Sequence, residues 1–110
     1  MTALPIDLEL AAQGFAAVGS ESRLQVLRTL VRAGDPGLTI GEIGERLGIP
    51  ASTLNHHLRF LAAADLIRQE KQGRMVINRA NYPGLQALAE FLLHECCADC
   101  GPVAAAETRS

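Results

Sequence analysis

The stretch Leu38 to Leu61, "LTIGEIGERLGIPASTLNHHLRFL", constrains the fold more than any other part of the chain. It reads as two short helices with almost no room between them. Thr39 followed by Glu42 is a capping-box pattern that starts the first. Ile40, Ile43 and Leu47 give that helix its apolar stripe. "GIP" (Gly48 to Pro50) is a tight connection that the first helix cannot cross. A second helix begins at about Ala51, with Leu54, Leu58 and Leu61 pointing inward and Ser52, Asn55, His56 and Arg59 on the opposite side. Helices this short bury their stripes only against one another and against further elements of the same chain.

Those further elements flank the pair. Ile6 to Ala17 has weak helical spacing, through Ile6, Leu8, Leu10, Phe15 and Val18. Ser20 is an N-cap candidate, and Leu24, Leu27, Leu30 and Val31 then repeat as the inward stripe of a strong amphipathic helix. Arg23 reads as a surface or capping residue of that helix. "AGDPG" (Ala33 to Gly37) ends it. After Leu61 the period changes to alternation: Ile67, Gln69 and Lys71, then, beyond Gln72-Gly73, Met75 and Ile77. That is a β-hairpin turning about a glycine. Asn81 is placed to cap a last helix, with Pro83 in its first turn and Leu85, Leu88, Phe91, Leu92 and Glu95 carrying it to the cysteines. "GPVAAAETRS" has no pattern and reads as a frayed tail.

The predicted fold class is therefore mainly α with a small β-hairpin, in the order helix, helix, helix, helix, strand, strand, helix. Two short helices joined by "LGIP" and followed by a basic hairpin make a winged helix-turn-helix. With 110 residues the chain is one domain. Residues 1–98 are assigned to the winged helix-turn-helix and 99–110 to a C-terminal tail carrying the third cysteine. No apolar run approaches the roughly 18 residues of a membrane span. "MTALPIDLEL" lacks the basic and apolar regions of a secretory signal, so a cytoplasmic location with reduced thiols is expected.

A net charge of −2 does not announce a nucleic-acid binder, but its distribution is informative. Residues 59–79 carry Arg59, Arg68, Lys71, Arg74 and Arg79 against Asp65 and Glu70, for +3, inside an otherwise acidic or balanced chain. Such an island is either a phosphate-binding footprint or a solvated hairpin with charged edges. The second short helix tips the balance. Its small polar residues leave room to enter a DNA major groove. Ser52 and Thr53 can bond phosphates, Asn55 and His56 can reach base edges, and Arg59 sits where the backbone passes. Lys71 and Arg74 flank the wing tip, within reach of phosphate or minor groove. The bland alternative is a merely solvated face. For His56-His57 the competing reading is a metal pair, but neighbours on a helix diverge by about 100°. That sends one ring toward DNA and the other toward the scaffold.

"GSESRLQVLRTL" together with "IGEIGERLGIPASTLNHHLRFLAAADLIRQEKQGRMVI" resembles the ArsR/SmtB family of bacterial metal-sensing repressors, over about residues 15–97. The tightest parts are "STLNHHLRFLAAADLI" and "QGRMVI". The resemblance implies a homodimer joined by the first and last helices. It implies binding to an operator in the promoter of the protein's own operon, and release when an inducer binds. Ser52, Thr53, Asn55, His56 and Arg59 match positions that face DNA in the family, and Arg74 matches the wing.

The inducer reading turns on "HECCADC" (His94 to Cys100), which holds all three cysteines. The family's helix-borne arsenic site has no counterpart here, because "LTIGEIGERL" contains no thiol. His94, Glu90 and Glu95 are a poor set for the family's paired-helix zinc site. Cys96, Cys97 and Cys100 resemble the C-terminal cysteine triad of some arsenic-responsive members. Trivalent arsenic and antimony are soft centres with a lone pair and favour three sulfurs. The sequence thus predicts a repressor released when As(III) or Sb(III) binds Cys96, Cys97 and Cys100, with no organic cofactor and no small organic substrate. Another soft or borderline metal (Zn, Cd, Pb) stays open, with His94 as a fourth ligand for zinc. Thiol redox stays open too, since "CADC" has the spacing of a redox pair. No catalytic arrangement is evident, so the chain is not read as an enzyme. On this reading both cysteines of the vicinal pair lie on an unbroken last helix.

Overall fold

A computed structural model describes residues 6–100. The order is α1 (Leu8–Val18), α2 (Glu21–Ala33), α3 (Ile40–Leu47), α4 (Ala51–Ala63), β1 (Ile67–Gln72), β2 (Met75–Ala80) and α5 (Tyr82–Leu93), as the sequence predicts. The tail 101–110 lies outside the described residues.

Local chemistry sets most helix starts. The Asp7 side chain accepts from the Leu10 amide at 2.8 Å and Ser20 Oγ accepts from the Arg23 amide at 3.3 Å. At α3 both halves of the capping box form: the Glu42 amide donates to Thr39 Oγ1 at 3.2 Å and the Thr39 amide donates to Glu42 Oε1 at 2.8 Å. Gly48 closes α3 with φ +69, the left-handed conformation that a glycine adopts at no steric cost.

The core gathers Leu54, Leu58 and Leu61 of α4, each at most 1% exposed, with Val26, Leu27 and Leu30 of α2, Ile43 of α3, and Leu66 and Ile67. The inward face of α2 differs from the sequence expectation. Leu24 and Val31 are 41% and 40% exposed, and Val26 is buried instead. Val26, Leu27 and Leu30 are the three that face the core, while Leu24 and Val31 sit on the flank of the same apolar arc.

The two strands pair antiparallel, with Ile67 opposite Ala80 and Gln72 opposite Met75. The turn is therefore Gly73-Arg74, one residue later than the predicted Gln72-Gly73. Gly73 has φ +63, as the first position of a type II′ hairpin requires. Leu38 bridges to Asn78, exchanging both backbone hydrogen bonds with it at 2.9 and 2.8 Å. The buried Asn78 side chain donates to the Leu38 carbonyl and accepts from Gln69 Nε2. This anchors the root of the hairpin to the start of α3.

Asn81 precedes α5 as predicted, but its side chain does not cap the helix. It donates instead to the Asp65 carbonyl at 2.7 Å. Gly84 lies against the same carbonyl, so closely that a Cβ there would come within 2.3 Å of it. α5 also packs on α1, where Gly14 leaves space for Leu88. α5 stops at Leu93, short of the cysteines. Cys96 and Cys97 therefore do not ride an unbroken helix. Residues 94–100 form a run of turns in which the amides of Cys96, Ala98 and Cys100 donate to the carbonyls three residues back. Cys97 has φ +63, which ends any right-handed helical path there.

Candidate nucleic-acid interface

α4 carries the site because its two faces are chemically opposite. With the three leucines buried, Ser52, Thr53, Asn55, His56 and Arg59 are all exposed. Pro50 is the N-cap of α4 and supplies no side-chain hydrogen bond. The first amides of α4 are thus left without a side-chain acceptor, beside Ser52 and Thr53, in the arrangement that favours a phosphate oxygen.

The hairpin completes the surface. Asn55 of α4 lines one groove with Arg74, Met75 and Val76 of the wing, and with Thr39. Lys71 and Arg74 are exposed. Arg79 is not available to a ligand. It is ion-paired to Glu70 across the strands and also donates to the Asp35 carbonyl at 2.6 Å. The hydrogen bond that Arg79 donates to Glu70, and then the charge of Arg79, hold the Glu70 carboxyl below its ordinary range. The basic island thus divides into a structural pair at the root and available cations at the tip. Sequence reasoning missed Met75 and Val76 as exposed apolar groups beside these cations, although both stand in the quoted hairpin.

The adjacent histidines separate as expected. His56 is exposed, and His57 is half-buried against the scaffold with Nδ1 wholly enclosed and without a hydrogen-bond partner. Burial first, then the charges of Arg23 and His56, lower the His57 pKa from its ordinary value. Arg23 is the capping residue the sequence indicates, but it caps the preceding helix. Its Nε and Nη2 donate to the Ala17 and Ala16 carbonyls at the end of α1.

The cysteines form a second, separate feature. Cys96 Sγ and Cys97 Sγ lie 3.3 Å apart, and none of the three thiols is in a disulfide. The structure brings these two together and does not gather all three. Among the described residues no three His, Cys, Asp or Glu side chains converge as a metal site. His94 and Cys100 are exposed on either side of the pair. Among the described residues no helix is long and apolar enough to cross a membrane.

A groove-sized helix with one polar face, a preceding short helix and a basic wing define a winged helix-turn-helix DNA-binding regulator. Residues 18–70 match the model of a helix-turn-helix domain family. The chain is 38% identical over 74 residues to the uncharacterized HTH-type transcriptional regulator YceK of Bacillus subtilis, covering 67% of this chain and 73% of that one. It is 32% identical over 76 residues to the transcriptional activator HlyU of Vibrio cholerae, covering 69% and 68%. Its fold is similar to that of an ArsR-like transcriptional regulator from Rhodococcus sp. RHA1, with a TM-score of 0.70 and 27% identity over 83% of this chain and 82% of that one. The chain belongs to the ArsR/SmtB family of transcriptional regulators.

Proposed function

We propose that this protein is a homodimeric repressor that grips operator DNA through α4 and the wing and lets go when trivalent arsenic or antimony binds its C-terminal thiols. Ser52 and Thr53 bond phosphates at the open start of α4, and Asn55 and His56 meet base edges. Arg59, Lys71 and Arg74 neutralise the flanking backbone. A second copy pairs along α1 and α5, where Leu8, Leu92 and Leu93 are 72%, 67% and 66% exposed and call for an apolar cover.

The observation that carries the effector reading is the sulfur pair at the end of α5. Soft thiolates select soft ions. Two bonds of about 2.3 Å span about 3.3 Å at a right angle and about 3.8 Å at the tetrahedral angle. The Cys96–Cys97 separation of 3.3 Å is short enough for both sulfurs to bind one ion. Cys100 would supply the third sulfur by a rearrangement of the turns at 94–100. No unwinding of α5 is needed, because the helix has already ended. Drawing Cys100 inward strains the end of the helix that pairs the subunits. A coupling of about 1–3 kcal/mol is typical of allosteric linkage and lowers DNA affinity several-fold to a hundredfold.

The test is fluorescence-polarisation binding to the DNA upstream of the protein's own gene, in reductant. Arsenite, antimonite, zinc, cadmium and peroxide are titrated in parallel. Cys96→Ser, Cys97→Ser and Cys100→Ser should each keep DNA binding and lose release by arsenite. Release by arsenite in all three variants places the effector site elsewhere. Release by zinc or cadmium alone, or by peroxide alone, assigns the same thiols to a different metal or to redox sensing. A reporter whose expression falls when the gene is deleted would make the protein an activator.

A further inference from the structure

Arg23 links the end of α1 to the outer face of α4. It stands on α2, yet its head group works between two other helices. Its Nε donates to the Ala17 carbonyl at 2.7 Å and its Nη2 to the Ala16 carbonyl at 3.2 Å. These carbonyls belong to the last turn of α1, where the helix runs out of following amides; the Ala16 carbonyl also accepts from the Gly19 amide at 3.2 Å. The same guanidinium lies over the Phe60 ring of α4, with its central carbon 4.2 Å from the ring centroid. Phe60 in turn meets the His56 ring edge-on, with the centroids 6.2 Å apart. A continuous path of contacts thus runs from the end of α1 through Arg23 and Phe60 to His56.

Capping alone does not explain this arrangement. Carbonyls at a helix end can be met by water or by a lysine. A guanidinium is different because it donates in its plane while presenting its flat face to a ring. Phe60 falls outside the buried stripe of Leu54, Leu58 and Leu61 and is 41% exposed. Core packing therefore does not hold the ring in place. The guanidinium over its face is the contact that links the ring to α2 and the end of α1.

We infer that Arg23 is a positioning residue that sets the rotation of α4 relative to α1, and so the aim of His56, through the face of Phe60. The inference rests on the proposed reading of α1 as a pairing helix and α4 as the DNA-reading helix. A chain of contacts becomes a coupling only when the energies prove non-additive.

The experiment uses the full chain with Arg23→Gln, Arg23→Lys, Phe60→Leu and the Arg23→Gln/Phe60→Leu double variant. The first arm contains no DNA. In amide correlation spectra, Arg23→Gln should shift residues 56–60 of α4 as well as residues 16–17 of α1. Phe60→Leu should shift the same α4 set, and the double variant should add little. The second arm is operator binding, with thermal midpoints recorded to separate loss of fold from loss of aim. Each single variant should lose about tenfold in affinity, and the double variant about tenfold rather than a hundredfold. Arg23→Lys, which keeps a cation for the ring, should recover part of the loss. Shifts confined to α1 and α2, or losses that multiply in the double variant, overturn the inference. Wild-type protein that binds no upstream duplex instead sinks the DNA-reading assignment, while the amide shifts still decide the role of Arg23.

Discussion

At the scale of single residues, His57 is where chemistry and surroundings are most at odds. Its Nδ1 is enclosed without a partner, and Arg23 and His56 both oppose a proton on its ring. The folded protein therefore holds His57 neutral to lower pH than the unfolded chain does. Between the two pKa values the unfolded state binds more protons, so stability rises with pH there. The contribution is complete above about pH 6.5, the ordinary histidine value, and is lost as pH falls through the lowered folded value. The thermal midpoint should accordingly fall between pH 7 and pH 5, and His57→Gln should flatten that slope while His56→Gln leaves most of it. An unchanged slope in His57→Gln would show that another group titrates. Glu70 acts in a separate window. Its lowered pKa supports the fold above its ordinary carboxylate value and ceases to do so in more acidic solution. The separation of the two histidines was legible in the sequence, since a helix turns adjacent residues apart. The fate of Arg79 was not, because its partners Glu70 and Asp35 are met only once the strands pair and the loop before α3 folds back.

Among the elements, α3 depends most on its cap. It has eight residues, too few to be stable alone, and Ile43 is its one fully buried side chain. Thr39→Ala removes the acceptor for the Glu42 amide and should cost about 1 kcal/mol, within a range of about 0.5–2. Urea unfolding would measure it as a lower midpoint with unchanged slope; no change would mean that water replaces the hydroxyl. This cap was readable from "TIGE" because both partners lie three residues apart. The face of α2 was not. Residues 24, 26, 27, 30 and 31 spread their apolar side chains over about 160° of the helix. Packing in the core selects one side of that arc, residues 26, 27 and 30, and leaves 24 and 31 on the other, a choice that periodicity alone does not make. The end of α5 escaped the sequence for a related reason. No glycine or proline marks residue 94, and the last two residues of the helix, Leu92 and Leu93, are mostly exposed within a single chain.

For the whole molecule, the proposed pairing of two DNA-reading heads turns on those exposed leucines. Leu8 on α1 and Leu92 and Leu93 on α5 are the most exposed large apolar groups among the described residues. Burying one leucine contributes about 1.5–3 kcal/mol, and a two-fold interface uses each of them twice. Leu92→Asp/Leu93→Asp should therefore separate the subunits. It should leave the circular dichroism spectrum nearly unchanged, since neither side chain supports the core of its own chain. Sedimentation equilibrium should show the mass falling toward one chain. Operator affinity should fall further than loss of two side chains remote from α4 and the wing would cause. A joined second head binds at high effective concentration, and a separated one must find its half-site unaided. Weakening of about a hundredfold, recovered in part by raising protein concentration, fits pairing through α1 and α5. If the double variant remains a dimer with full affinity, the subunits must meet elsewhere, with the exposed Leu24 and Val31 flank of α2 the next surface to test.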